Sequence, residues 1–114
     1  MQHLIYIAGP MRGHVGYNYA EFDGVARILR QRGWTVLNPT EIGGLFGNAD
    51  HIQSHPQIEE ALIQIELAAL SVCEAIYLLP GWETSEGSRG ELRQAITHHL
   101  KIFQYLDQVR DYNG

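Results

Sequence analysis

Apolar residues come along this chain in two rhythms. Leu4-Ile5-Tyr6-Ile7, Trp34-Thr35-Val36-Leu37 and Cys73 to Leu79 are short, nearly unbroken runs. Such runs predict strands buried on both faces, as in a parallel sheet. Between them Phe22, Val25, Ala26 and Leu29 recur at helical spacing, as do Leu62, Ile63, Leu67 and Leu70. Asn18 followed by Glu21 predicts an N-cap with a capping box, and Gly33 a helix stop. Glu41 to His55 is rich in glycine and reads as a loop of about 15 residues. Pro56 suits the first turn of the next helix. Gly87 to Leu100 reads as a further helix, Lys101 to Leu106 as a final strand, and Asp107 to Gly114 as a polar tail.

The resulting order, β-α-β-loop-α-β-α-β, predicts one α/β domain spanning residues 1–114, a parallel sheet of four to five strands with helices on both faces. Ligands of such sheets bind beyond the carboxyl ends of the strands. Three turn-rich segments are expected there: Gly9 to Gly16, Asn38 to Gly44 and Pro80 to Glu91.

Composition narrows the partners. The chain has 114 residues, a formal charge of −5 and a single lysine, Lys101. That disfavours duplex nucleic acid, which needs clustered Lys and Arg. No apolar run reaches the ~20 residues that cross a bilayer, and the start lacks the basic region of a signal peptide. The expectation is a cytoplasmic protein without a membrane partner. Cys73 is the single cysteine, which excludes an intrachain disulfide and reads as a small buried hydrophobe. The six histidines include His51 and His55 at i,i+4, but Pro56 and Gly47-Asn48 argue against regular helix there, and no metal site is expected.

Candidate chemistry gathers in three places. In the first loop Gly9 leaves the backbone open to a close neighbour, Pro10 stiffens the turn, and Met11 precedes Arg12, whose planar fork suits a phosphate or carboxylate. Gly13 exposes further N–H groups. The loop fits an anion cradle or a plain strand-helix turn equally well, and it is neither a Walker A loop nor a dinucleotide fingerprint. Around Gly81 to Ala95, Ser85, Gly87 and Ser88 precede Glu91. The serines either donate to a phosphate or cap the helix. A carboxylate near a helix N-terminus should have a lowered pKa. Trp82 either stacks on a base or closes the core. Glu66 lies on or beside an apolar stripe, where burial would raise its pKa and suit it to proton transfer. Glu74 reads as structural.

"YIAGPMRG", a strand ending near Asn38-Pro39, and "CEAIYLLPGWETSEGSRGELRQA" together resemble the nucleoside 2-deoxyribosyltransferase superfamily. The likeness covers nearly the whole chain. It is strongest to small deoxyribosyltransferase-like domains of phages and bacteria, and extends to nucleotide N-hydrolases that release the base from deoxynucleoside 5′-monophosphates. Gly87, Glu91, Leu92 and Ala95 match the family's nucleophile pattern. Arg93 stands where the family has glycine or alanine, and Glu66 where it usually has aspartate.

The resemblance implies a flavodoxin-like or Rossmann-like fold and an activity on the N-glycosidic bond of a nucleoside or nucleotide, with no cofactor. It implies Glu91 and Glu66 as the catalytic pair. Arg12, Ser85 and first-loop N–H groups would hold the phosphate, and Asn38 and Trp82 would line the substrate site. It also implies a homodimer or higher homo-oligomer, in which a neighbouring subunit's C-terminal segment, here Asp111 to Gly114, completes the site. A binding domain without turnover is the alternative.

Overall fold

The computed structural model describes residues 2–114. Four parallel strands, β1 (Leu4–Ala8), β2 (Thr35–Leu37), β3 (Ala75–Leu78) and β4 (Lys101–Phe103), form one sheet in the order β2-β1-β3-β4. β1 pairs with β2 at Leu4↔Thr35 and with β3 at Ile5↔Ala75, and β3 pairs with β4 at Ala75↔Lys101. The expected α/β fold is therefore the one adopted, and it is flavodoxin- or Rossmann-like.

Alternation along the strands divides the core. Ile5, Ile7, Val36, Ala75 and Tyr77 pack against Phe22, Val25, Ala26 and Leu29 of α1 (Tyr19–Gln31). Tyr6, Ala8, Ile76 and Leu78 face Leu70 of α4 (Pro56–Ser71) and Ala95 of α5 (Glu86–Thr97). Every residue from Ile5 to Ala8 is fully buried. This explains why β1 is an unbroken apolar run.

Two expectations fail at the boundaries. Asn18 precedes α1 but does not cap it; its φ is +64° and its Nδ2 donates to Pro10 O at 2.9 Å. The segment expected as one long loop contains two short helices, α2 (Pro39–Gly44) and α3 (Ala49–Gln53). Asn38 caps the first by accepting from Thr40 N, with Pro39 behind it, and Asn48 caps the second by accepting from His51 N. Local capping outweighs the glycine content that suggested a loop.

The polar tail packs onto its own chain at the amino ends of the strands. Val109 is buried with Trp34, Trp34 Nε1 donates to Arg110 O at 2.8 Å, and Tyr112 stacks on His3 at 3.7 Å between ring centroids.

Candidate active site

In this strand order the connection from β1 runs one way to β2, and the chain then returns past β1 to β3. Such a reversal is where open parallel sheets bind their ligands, beyond the carboxyl ends of β1 and β3 here. The first and third turn-rich segments do meet there. Leu79 N donates to Ala8 O at 2.8 Å, and a Cβ placed on Gly81 would stand 3.4 Å from Pro10 Cγ.

On the α4 and α5 side of the sheet lie three ionisable side chains. Tyr6 comes from β1, Glu66 from α4 and Glu91 from α5. The Tyr6 hydroxyl donates to Glu91 Oε2. Glu66 lies near enough to both to raise their proton affinity. Burial pushes Glu66 up to about 7. It pushes Glu91 up to about 8, helped by the charge of Glu66 and opposed by the Tyr6 hydrogen bond.

The lowered pKa expected for Glu91 is thus overturned. Glu91 sits in the second turn of α5, past the free N–H groups of the first, where the helix dipole has faded. Desolvation dominates there. The raised pKa expected for Glu66 is found. Two neighbouring buried carboxyls do not both ionise readily. The Tyr6 hydrogen bond only partly offsets burial at Glu91, so Glu66, at about 7, gives up its proton before Glu91, at about 8.

At the start of α5, Ser85 is the cap. Its Oγ accepts from Ser88 N at 3.2 Å, which leaves its O–H free to donate. Ser88 Oγ is buried and has no hydrogen-bond partner among the described residues. A Cβ at Gly87 would meet only Ser85 Oγ, at 3.9 Å, so packing does not demand glycine there. Arg93 is exposed and lies outside the buried carboxyl pair.

Other candidate residues have different work in this conformation. A Cβ on Gly9 would come within 2.7 Å of Leu79 Cβ, so Gly9 answers to strand packing rather than to a ligand. Met11 packs on the α1 side of the core. Asn38 is fully buried, donating from Nδ2 to Asp23 Oδ1 at 2.9 Å while capping α2. Trp82 leans on the core cluster that contains Tyr6. Arg12 donates to Glu59 of α4 and lines a recess of about 350 Å³ with Gln53, Pro56, Glu59, Glu60 and Ile63. Neither carboxyl of the buried pair lines that recess. Arg12 is paired with Glu59 and not with either carboxyl of the pair. Gly13, next to Arg12, holds a φ of +79°.

Tyr6 had no role in the sequence reading. The available signal was its place in a doubly buried strand, since a buried phenol needs a polar partner. Tyr19, at the start of α1, is a second tyrosine within electrostatic reach of Glu66. Glu74 proves structural, pairing with His3 Nδ1 at 2.8 Å. Burial pushes the Cys73 thiol up to about 12, which suits an inert core side chain. Among the described residues no three His, Cys, Asp or Glu side chains group to hold a metal ion, and no helix is long and apolar enough to cross a membrane.

A search of curated proteins finds no match to this sequence. Residues 3–104 match a family described as a domain of unknown function, DUF4406, and the chain belongs to that family.

Proposed function

We propose that this chain cleaves the N-glycosidic bond of a nucleoside or, in preference, a deoxynucleoside 5′-monophosphate. The observation that carries the reading is the half-buried pair Glu66 and Glu91, with the Tyr6 hydroxyl on Glu91, on the α4 and α5 side of the switch point. The sequence likeness to the nucleoside 2-deoxyribosyltransferase superfamily at Gly87, Glu91, Leu92 and Ala95 supports it. So does the start of α5, where the Ser85 hydroxyl is free to donate to an anion.

In this mechanism the Glu91 carboxylate attacks C1′ through an oxocarbenium-like transition state. The C1′–N bond breaks, and Glu66 gives its proton to the departing base. Glu66 then accepts a proton from water, or from a second base, which attacks C1′ and frees Glu91. Tyr6 steadies the Glu91 carboxylate before attack. The acceptor decides hydrolysis against transfer. The same reading includes a homo-oligomer, for which the exposed Ile63 and Ile65 of α4 and Val72 just after it supply apolar surface.

One observation favours a second reading. A Glu91 that holds its proton to about pH 8 is a poor nucleophile at neutral pH, which suits a domain that binds a nucleotide without turnover. Incubation with the deoxynucleosides and their 5′-monophosphates, followed by chromatography for free base, separates the two. Base release that disappears in Glu91→Gln supports the enzyme. Saturable binding without base release supports the binding domain. Neither binding nor release overturns both.

A further inference from the structure

The side chain best suited to a substrate phosphate is already engaged. Arg12 pairs with Glu59, in the first turn of α4. The arginine side chain is 65% exposed, so the pair sits in a high dielectric and is weak.

The segment that carries Arg12 has room to move. Gly13 and Gly16 hold φ values of +79° and +57°, and a Cβ on either would meet nothing within 4 Å. Val15, between them, is wholly exposed. Tyr17 and Asn18 follow with φ of +53° and +64°, which side-chain-bearing residues adopt only when held there. The holding contacts are few. The Tyr17 hydroxyl donates to Asp50 Oδ1 of α3, and Asn18 donates to Pro10 O. Arg12–Glu59 is the contact that ties this segment to α4 through opposite charges.

We propose that Glu59 is a counter-ion gate on the anion subsite. It holds Arg12 aside until a phosphate replaces the carboxylate, and so it lowers the affinity for 5′-monophosphates while leaving that for nucleosides untouched. This rests on the reading of a phosphate-bearing substrate given above. A phosphate dianion offers Arg12 more charge and more acceptor oxygens than one carboxylate. A nucleoside offers Arg12 nothing, and the pair with Glu59 persists. Because the pair is exposed, the penalty it places on phosphate binding is about three- to fivefold.

The test is calorimetric titration of wild type, Glu59→Gln and Glu60→Gln with inorganic phosphate, deoxynucleoside 5′-monophosphates and deoxynucleosides. Glu60 lines the same recess without touching Arg12, so its variant controls for simple loss of negative charge. Glu59→Gln should bind phosphate and the monophosphates about three- to fivefold tighter, with nucleoside affinity unchanged. Glu60→Gln should change little. An unchanged phosphate affinity in Glu59→Gln, or an equal gain in Glu60→Gln, overturns the gate, even where the wild type releases base from monophosphates. A gain for inorganic phosphate alone, with no monophosphate bound or cleaved, upholds the gate and overturns the proposed activity.

Discussion

The Tyr6 hydroxyl governs how readily Glu91 gives up its proton. It is the one influence that lowers the Glu91 pKa, against burial and the charge of Glu66. Tyr6→Phe keeps the ring that fills the core and removes only the donor. The Glu91 titration should then move upward from about 8, read by NMR of labelled glutamate carboxyls. Stability should stay within about 1–2 kcal/mol of wild type, because the ring is retained and one hydrogen bond is lost. Glu91 and Glu66 were legible in the sequence as a pair, one from a Gly/Ser-led helix start and one from an apolar stripe. The direction of the Glu91 pKa was not. Sequence distance to the helix start suggested the dipole, whereas the inward rotation of the second turn gave burial the larger effect. Tyr6 stayed hidden because its partner lies 85 residues away, and no local pattern reports such a contact.

At the scale of elements, the long connection between β2 and α4 shows what capping residues can do. Asn38 links three groups: it bonds Asp23 of α1, caps Thr40 of α2, and follows the last residue of β2. Thr40 Oγ1 also donates to Asp23 Oδ1, at 2.6 Å. Asn38→Ala should therefore cost about 2 kcal/mol, more than the loss of an exposed cap, since it leaves Asp23 and Thr40 N short of partners in a buried corner. Urea denaturation checks this, and an effect below about 0.5 kcal/mol would mean the corner tolerates the gap. The helices with continuous apolar periodicity, α1, α4 and α5, were readable to within a few residues, as were the four strands. α2 and α3 were not, because each is too short to show a period and each depends on a single asparagine. Asn38 was expected as a substrate contact; its position at a strand end was right, and its side chain belongs to the scaffold.

For the whole molecule, two carboxyls whose folded pKa values stand above the ordinary 4.5 couple stability to pH. Their contribution is fully present below the unfolded pKa. It is lost as pH rises toward the folded values, because the unfolded chain ionises first. Unfolding free energy should fall by on the order of 2 kcal/mol between about pH 5 and pH 7. Glu91→Gln removes one of the two groups. It should flatten that slope and exceed wild-type stability at pH 8, measured by thermal or urea unfolding across the range. A slope identical to wild type would place the Glu91 carboxyl in water.

The same buried acids alter what an approaching ligand encounters. The formal charge of −5 counts all thirteen acids as anions. With Glu66 and Glu91 holding protons near neutrality, the native chain is roughly one to two charges less negative than its composition implies. The pair presents largely neutral carboxylic acids where two repelling charges would otherwise stand. An anionic molecule can then settle beside them before either ionises, so the field it meets on entry differs from the one in which a reaction would begin.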